Sequence, residues 1–381
     1  MSFPTTPAEV TTPAEARVDL SAIRENAALL RERAAGALLM ATVKADGYGH
    51  GMVPVARAAL EGGADRLGTA YVREALTLRA AGVTAPVLAW LIPPGEPLEE
   101  AVAKDVELAA GAPWLVDEIA AAAGRAGRPA RVHLKIDTGN GRGGATAADW
   151  PALLERALAL QAAGTVEIAG LWSHLACADI PGHPSVEVQL DAFDEAVGVA
   201  EKMGAAGPGV LRHIANSAAT LTVPRARYDM VRPGIALYGL SPVPQLGDFG
   251  LRPAMTLVAR VALAKRVPAG SGVSYGHLYV TDCETTLALV PLGYADGIPR
   301  HATNQAEVLA GGRRRRIAGR VCMDQFVIDV GDDPLTEGDE VILFGEGSHN
   351  EPTAQEWADS LGTITYEIVT GIGSRVPRVY R

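Results

Sequence analysis

From about Leu20 to about Leu240, short apolar runs alternate with longer amphipathic ones, and this alternation constrains the fold more than any single motif. Candidate strands fall at residues 38–43, 66–70, 87–91, 106–110, 131–136, 166–173, 211–215 and 229–232. Each is followed by a helical or turn-and-helix stretch, as at 52–61, 73–81, 117–126, 150–163 and 186–203. Eight βα units over roughly 220 residues suit a (β/α)8 barrel, whose typical size is about 250 residues. An open doubly wound sheet fits less well, because no G-x-G-x-x-G follows the first strand.

Near Ser241-Pro242-Val243-Pro244-Gln245-Leu246-Gly247 the pattern changes. β-Branched and alternating segments follow at 256–267, 285–291, 307–309, 315–329 and 340–344, punctuated by Gly311-Gly312 and Glu337-Gly338-Asp339. A chain of 381 residues is long enough for two cores. The expected organisation is a flexible tail at 1–14, an α/β barrel at 15–245 and a mostly β domain at 246–381.

The 34 basic and 44 acidic side chains leave a formal charge of −10. That balance argues against a nucleic-acid or anionic-membrane surface, while leaving room for a local basic pocket. The one basic run, Arg313-Arg314-Arg315-Arg316, follows two glycines and reads as a solvated hairpin. Cys177, Cys283 and Cys322 have no metal-ligand spacing and are too few for a disulfide framework, so reduced thiols and no metal are expected. The first 16 residues carry no basic segment followed by an apolar one, and no apolar run reaches membrane-spanning length. A cytoplasmic protein is the expectation, with neither nucleic acid nor membrane as a partner.

In a barrel of this kind, chemistry collects where strands end. Lys44 closes the first apolar run, within Val43-Lys44-Ala45-Asp46-Gly47-Tyr48-Gly49-His50-Gly51. Taken alone, such a lysine snorkels to solvent; desolvated, it becomes a nucleophile, for example toward an aldehyde. After the fifth run, Lys135-Ile136-Asp137-Thr138-Gly139-Asn140-Gly141-Arg142 sets a guanidinium beyond a turn, where its fork suits a carboxylate or a phenolate. The sixth run leads into Ser173-His174-Leu175-Ala176. The seventh leads into Asn216-Ser217, where Ser217 begins a helix whose N–H groups suit a phosphate. The eighth leads into Arg232-Pro233-Gly234-Ile235, with a glycine that permits close backbone approach. The second domain carries Ser274-Tyr275-Gly276, read from its residues as a strand aromatic beside a bulge. It also carries Gly293-Tyr294-Ala295-Asp296-Gly297, Arg320-Val321-Cys322-Met323-Asp324-Gln325 and Thr363-Ile364-Thr365-Tyr366-Glu367.

In their order and spacing these motifs resemble those of the alanine racemase family, from about residue 15 to the last residue. The resemblance implies pyridoxal 5′-phosphate (PLP) as cofactor, carried by Lys44 and contacted by Tyr48, His174, Asn216, Ser217, Arg232, Gly234, Ile235 and Tyr366. By the same resemblance, Arg232 faces the pyridine nitrogen and Tyr366 the phosphate. Arg142 and Met323 would bind the substrate carboxylate. Lys135 matches a lysine that is carbamylated in many members and supports the arginine. Tyr294 would narrow the passage into the site, with Asp179, Arg300 and Arg320 lining its outer part. Lys44 and Tyr275 would be the two bases, Tyr275 coming from the partner chain of a homodimer. Asn140 stands where most members carry an apolar residue, and Leu278 replaces the usual threonine. The implied function is interconversion of L- and D-alanine, supplying D-alanine for peptidoglycan. Alternatives are a broad-specificity or serine racemase of the same fold, a decarboxylase of that fold, and a non-catalytic PLP-binding protein. Arg232 speaks against the decarboxylase, which keeps an acidic partner at the pyridine nitrogen. The second domain with Tyr275 speaks against the PLP-binding protein, which is usually a barrel alone.

Overall fold

The computed structural model describes residues 12–381, so the expected tail lies outside the described residues as far as residue 11. The described chain divides into two units, one formed by Leu20–Arg252 and the other by residues 12–19 together with Pro253–Arg381.

The first unit is a barrel. Its parallel strands are β2 (Leu38–Thr42), β3 (Arg66–Thr69), β4 (Val87–Ala89), β5 (Val106–Ala110), β6 (Ala130–Lys135), β7 (Val166–Trp172), β8 (Leu211–His213) and β9 (Met230–Val231), in a sheet that runs from β8 down to β2 and on to β9. Asp229 N donates to Arg212 O at 3.0 Å and Arg232 N to Ala215 O at 2.9 Å, which brings β9 back against β8. All eight expected runs coincide with these strands. Several extend past the ladder because Val43, Ile136, Ser173 and Ala215 stay buried after leaving it. Helices follow the strands, and their ends carry ordinary signals: Pro113–Ala126 starts with a proline in its first turn and stops at Gly127, whose φ is 70°. Trp150 joins two helices by donating from Nε1 to Ala196 O at 2.9 Å.

Glycines make room for rings inside this barrel. A Cβ at Gly68 on β3 would lie 2.5 Å from the Trp90 ring and 3.1 Å from the Met40 sulfur.

The second unit differs from the expected boundaries. β1 (Ala14–Val18), assigned by the sequence largely to the barrel, has alternating burial and pairs antiparallel with β10 (Met255–Arg260). The segment after residue 245 belongs to the barrel unit as far as Arg252. Asn26 ties it there, donating to Arg252 O at 2.8 Å and accepting from Arg252 N at 2.9 Å. The remaining strands are β11 (Leu263–Val267), β12 (Gly272–Val273), β13 (Tyr279–Val280), β14 (Thr285–Val290), β15 (Glu307–Ala310), β16 (Arg313–Arg316), β17 (Phe326–Gly331), β18 (Glu340–Phe344) and β19 (Arg378–Tyr380). They form a six-stranded sheet in the order β16-β15-β18-β10-β1-β19, a three-stranded sheet β11-β14-β17 and the pair β12-β13. The expected segment 315–329 is two strands with a loop between them. The arginine run is one arm of a hairpin, as expected, turning at Gly311 and Gly312 with φ of 58° and 75°. Arg314 pairs with Glu356 and Arg315 with Asp333, so acidic neighbours answer the basic run. Among the described residues, no helix is long and apolar enough to cross a membrane.

The crowding at Gly68 predicts the effect of filling it. Gly68→Val should lower unfolding stability by about 1–3 kcal/mol through overpacking against Trp90 and Met40. Denaturant titration followed by tryptophan fluorescence checks this; parental stability would mean the space is open.

Candidate active site

The chain leaves β2 through Val43 and enters a left-handed turn just after Lys44. Ala45, Asp46, Gly47 and Tyr48 have φ of 53°, 50°, 62° and 51°. Left-handed helical geometry costs an L-residue about 1–2 kcal/mol, so this turn has to be held from outside. Glu74 is its clamp: Oε1 accepts from Ala45 N at 2.7 Å, while Oε2 accepts from Ala70 N at 2.8 Å and Tyr71 N at 3.1 Å. Asp46 Oδ1 accepts from Met52 N at 2.8 Å and fastens the far end. Burial lowers the pKa of Lys44 and the Arg142 charge lowers it further, against an opposing pull from Glu74. The amine is thereby nearer its nucleophilic form than an ordinary lysine.

Other cations share the mouth. Lys135 Nζ lies 4.6 Å from the centre of the Trp172 ring, and the Arg232 guanidinium carbon lies 4.9 Å from the same centre. Burial, followed by the charges of Arg142 and Arg232, brings Lys135 down to about 8. Arg142 is exposed at the end of a turn built by Asp137, whose Oδ1 accepts from Gly139 N, Asn140 N and Gly141 N at 3.0, 2.8 and 3.2 Å. Asn140 Nδ2 donates to His174 O at 3.4 Å, so the residue that departs from the resemblance braces the neighbouring strand end. Arg232 Nη2 donates to Ser173 O at 2.8 Å and lies 3.4 Å from His174 Nδ1. Burial and the surrounding cations, Arg232 foremost, push His174 well below its ordinary value, so the ring is neutral.

Beside these cations is a close-packed backbone cradle. Asn216 Oδ1 accepts from Ala219 N at 3.0 Å and caps the short helix Ser217–Thr222. Ser217 Oγ accepts from Gly234 N at 2.8 Å and from Ala236 N at 3.3 Å, joining the strand end at β8 to the one at β9. Ile235 follows in a buried 3-10 turn. A Cβ on Gly234 would meet the Tyr48 hydroxyl at 2.2 Å, so only glycine fits beneath it. Tyr48 stacks on Tyr238, their centroids 4.7 Å apart.

The second unit holds its own cluster. Tyr275 lies on a 3-10 turn, not in a strand as expected, because Ser274 and His277 adopt φ of 59° and 46°. Ser274 Oγ donates to Arg320 O at 2.7 Å and fixes that turn. Tyr275 is 73 % exposed, Met323 53 % and Tyr294 44 %. All three line one cleft of about 730 Å³. Tyr294 N donates to Cys322 O at 3.0 Å and Ala295 N to Met323 O at 2.9 Å, so two motifs well apart in sequence are hydrogen-bonded neighbours. Arg300 lies in a short 3-10 turn and Tyr366 in the helix Thr365–Thr370 of this unit. Asp179 is an exposed barrel residue whose carbonyl accepts from Gln245 Nε2 at 3.3 Å. Among the described residues, no group of three or more metal-ligating side chains comes together.

A family model for the alanine racemase N-terminal domain matches residues 18–242, and one for the alanine racemase C-terminal domain matches residues 254–380. The chain belongs to the alanine racemase family. It is 63 % identical to the alanine racemase of Frankia casuarinae over 366 residues, covering 95 % of each chain. It is also 63 % identical to that of Thermobifida fusca, covering 96 % of this chain and 98 % of the relative. The crystal structure of alanine racemase from D-cycloserine-producing Streptomyces lavendulae superposes with a TM-score of 0.96 at 55 % identity, covering 98 % of each chain. The fold expected from the strand count is therefore that of the family, a barrel followed by a mostly β region.

Several residues of this racemase-family site escape sequence inspection. Trp90 and Trp172 read as strand apolars, yet both indoles face cations, with Lys44 Nζ 5.9 Å from the Trp90 centre. Glu74 looks like a helix surface carboxylate until its bond to Ala45 N is seen. A weak local signal exists for it, an acidic residue in the first turn of a helix.

The depressed Lys135 amine has a stability consequence. A lysine whose folded pKa is about 8 costs stability while it is protonated, and the cost fades as pH rises from 8 toward its unfolded value. Lys135→Met removes that cost, so in CO2-free buffer the variant should exceed the parent most at pH 7–8. The difference should narrow by pH 10. Urea midpoints measured across that range provide the check, and a pH-independent difference would contradict it.

Proposed function

We propose that this chain interconverts L- and D-alanine with PLP, as an enzyme whose active form is a homodimer. The observation that carries the reading is the desolvated Lys44 amine, in the same barrel mouth as a glycine cradle sealed by Tyr48. Membership of a PLP-using family supports it. The residues present fit that cofactor: Tyr48, Asn216, Ser217, Gly234 and Ile235 would hold its phosphate end, with Tyr366 as a further contact. Lys44 would hold its reactive end, and His174 and Arg232 its ring. Bound PLP supplies the electron-withdrawing ring that makes the Cα proton of alanine removable.

The side chains do the rest. Arg142 and the backbone of the partner's Met323 would orient the substrate carboxylate. Lys44 moves a proton at Cα on one face, and the partner's Tyr275 moves one on the other, each serving as base in one direction and acid in the reverse. Arg232, a fixed positive charge, would face the ring nitrogen of the bound cofactor and disfavour its protonation, which would limit side chemistry. Lys135, partly neutral at physiological pH, adds CO2 through its free amine and releases one proton to solvent, and the resulting carbamate lends Arg142 an anionic neighbour. Tyr294, Asp179, Arg300 and Arg320 shape the approach to the site. The product suits peptidoglycan synthesis in the cytoplasm, and nucleic acid and membrane play no part.

Incubation of the PLP-loaded protein with L-alanine should yield D-alanine, detected by D-amino-acid oxidase; absence of product would sink the reading. Lys44→Ala and Tyr275→Phe chains, each inactive alone, should partly restore activity when mixed, whereas dead mixed dimers would place both bases on one chain. Gly234→Ala should weaken PLP binding about tenfold or more, since the added methyl displaces Tyr48 at a cost of about 1–3 kcal/mol. Equilibrium dialysis measures that affinity directly.

A further inference from the structure

A row of buried polar side chains runs from Arg232 across the barrel strands and away from the mouth. Arg232 Nη1 lies 2.8 Å from His213 Nδ1, His213 Nε2 lies 2.9 Å from His133 Nδ1, and His133 Nε2 lies 3.0 Å from Glu107 Oε2. Both histidines are wholly buried, and Glu107 is 1 % exposed. Arg66 Nη1 stands 2.6 Å from Glu107 Oε2 and Arg131 Nη1 stands 2.7 Å from Oε1. The row crosses from β8 to β6 over β7, and the residue beneath the crossing is Gly170. A Cβ there would lie 2.3 Å from His133 Nδ1, so the glycine is what lets the two imidazoles meet.

The chemistry of the ends fixes the middle. A guanidinium can only donate, so His213 Nδ1 must accept and its proton sits on Nε2. That proton goes to His133 Nδ1, which leaves the His133 proton on Nε2, pointed at a carboxylate that can only accept. Every donor therefore points from Arg232 toward Glu107, and one protonation arrangement satisfies all three bonds. Burial depresses both imidazoles and keeps them neutral, with the Arg232 charge adding to the effect on His213.

We propose that Glu107 is a positioning residue for Arg232: acting through His133 and His213, it fixes the direction of proton donation and so guarantees the guanidinium an acceptor. The effect on turnover rests on the racemase reading above, whereas the proton order itself does not. Glu107→Gln in a chain that also carries Arg66→Met tests it. Arg131 then holds the amide oxygen in the place of Oε1, and the amide N–H in the place of Oε2 faces His133 Nε2, which must then accept. Both imidazoles would reverse, and an N–H would confront Arg232.

The measurement is side-chain 15N correlation NMR of [15N]histidine-labelled, PLP-loaded protein from pH 6 to 9. In the parent, His133 and His213 should both be neutral with the proton on Nε2; either ring carrying it on Nδ1 overturns the proposal, even if the variant fails to fold. In the double variant both should shift to Nδ1–H, and unmoved tautomers would overturn it. With the reversal, kcat for alanine should fall about tenfold while KM stays within twofold. Unchanged kcat beside reversed tautomers would break the link to Arg232. The expected tautomers in a protein that forms no D-alanine would support the row and sink the racemase reading instead.

Discussion

Positive charge crowded into a poorly solvated pocket is the constraint on which the barrel mouth depends. Lys44, Lys135, Arg142 and Arg232 act on one another and on His174, and the two lysines and His174 are depressed by burial and by neighbouring cations. Such an arrangement is costly without anions. The fold keeps its carboxylates one step back: Glu74 on backbone N–H groups, Asp137 on its own turn, Glu107 behind two imidazoles. The innermost anionic positions are thus left for the anionic groups of the proposed cofactor and substrate.

The barrel was legible because its strands are continuous apolar runs separated by amphipathic ones, and each strand of the closed sheet lies within a residue of an expected run. Strand ends then placed Lys44, Lys135, Arg232 and Ser217 without knowledge of any contact. What stayed hidden depends on distance in three dimensions. His133 and Gly170 look like ordinary strand residues, and only the pairing of β6 with β7 shows that one needs the other. The turn at Tyr275 is hidden from the sequence for a similar reason. Ser274, one of its non-glycine left-handed residues, is held by the carbonyl of Arg320, far along the chain. The short helix at Ala354–Leu361 did carry a readable signal, since Thr353 and Glu356 form a capping box.

Glycine has one role at three places in the barrel. Gly68 admits the Trp90 ring, Gly170 admits the His133 ring and Gly234 admits the Tyr48 hydroxyl. None of the three has a left-handed φ, so the requirement is for space and not for backbone freedom. A barrel interior is normally filled by layered branched side chains. Here missing side chains on some strands let rings from others reach the axis and carry polar atoms through an otherwise apolar centre.

The place of β1 bears on how the polypeptide matures. The six-stranded sheet sets β1 between β10 and β19, and the whole of Leu20–Arg252 separates β1 from the first of these. On the ribosome, β1 emerges first and finds no pairing edge until β10 has been made. The sheet is completed only by β19, the last of its six strands in chain order. The barrel can close while the later strands of the β unit are still to be made, with β1 kept unpaired until β10 follows it.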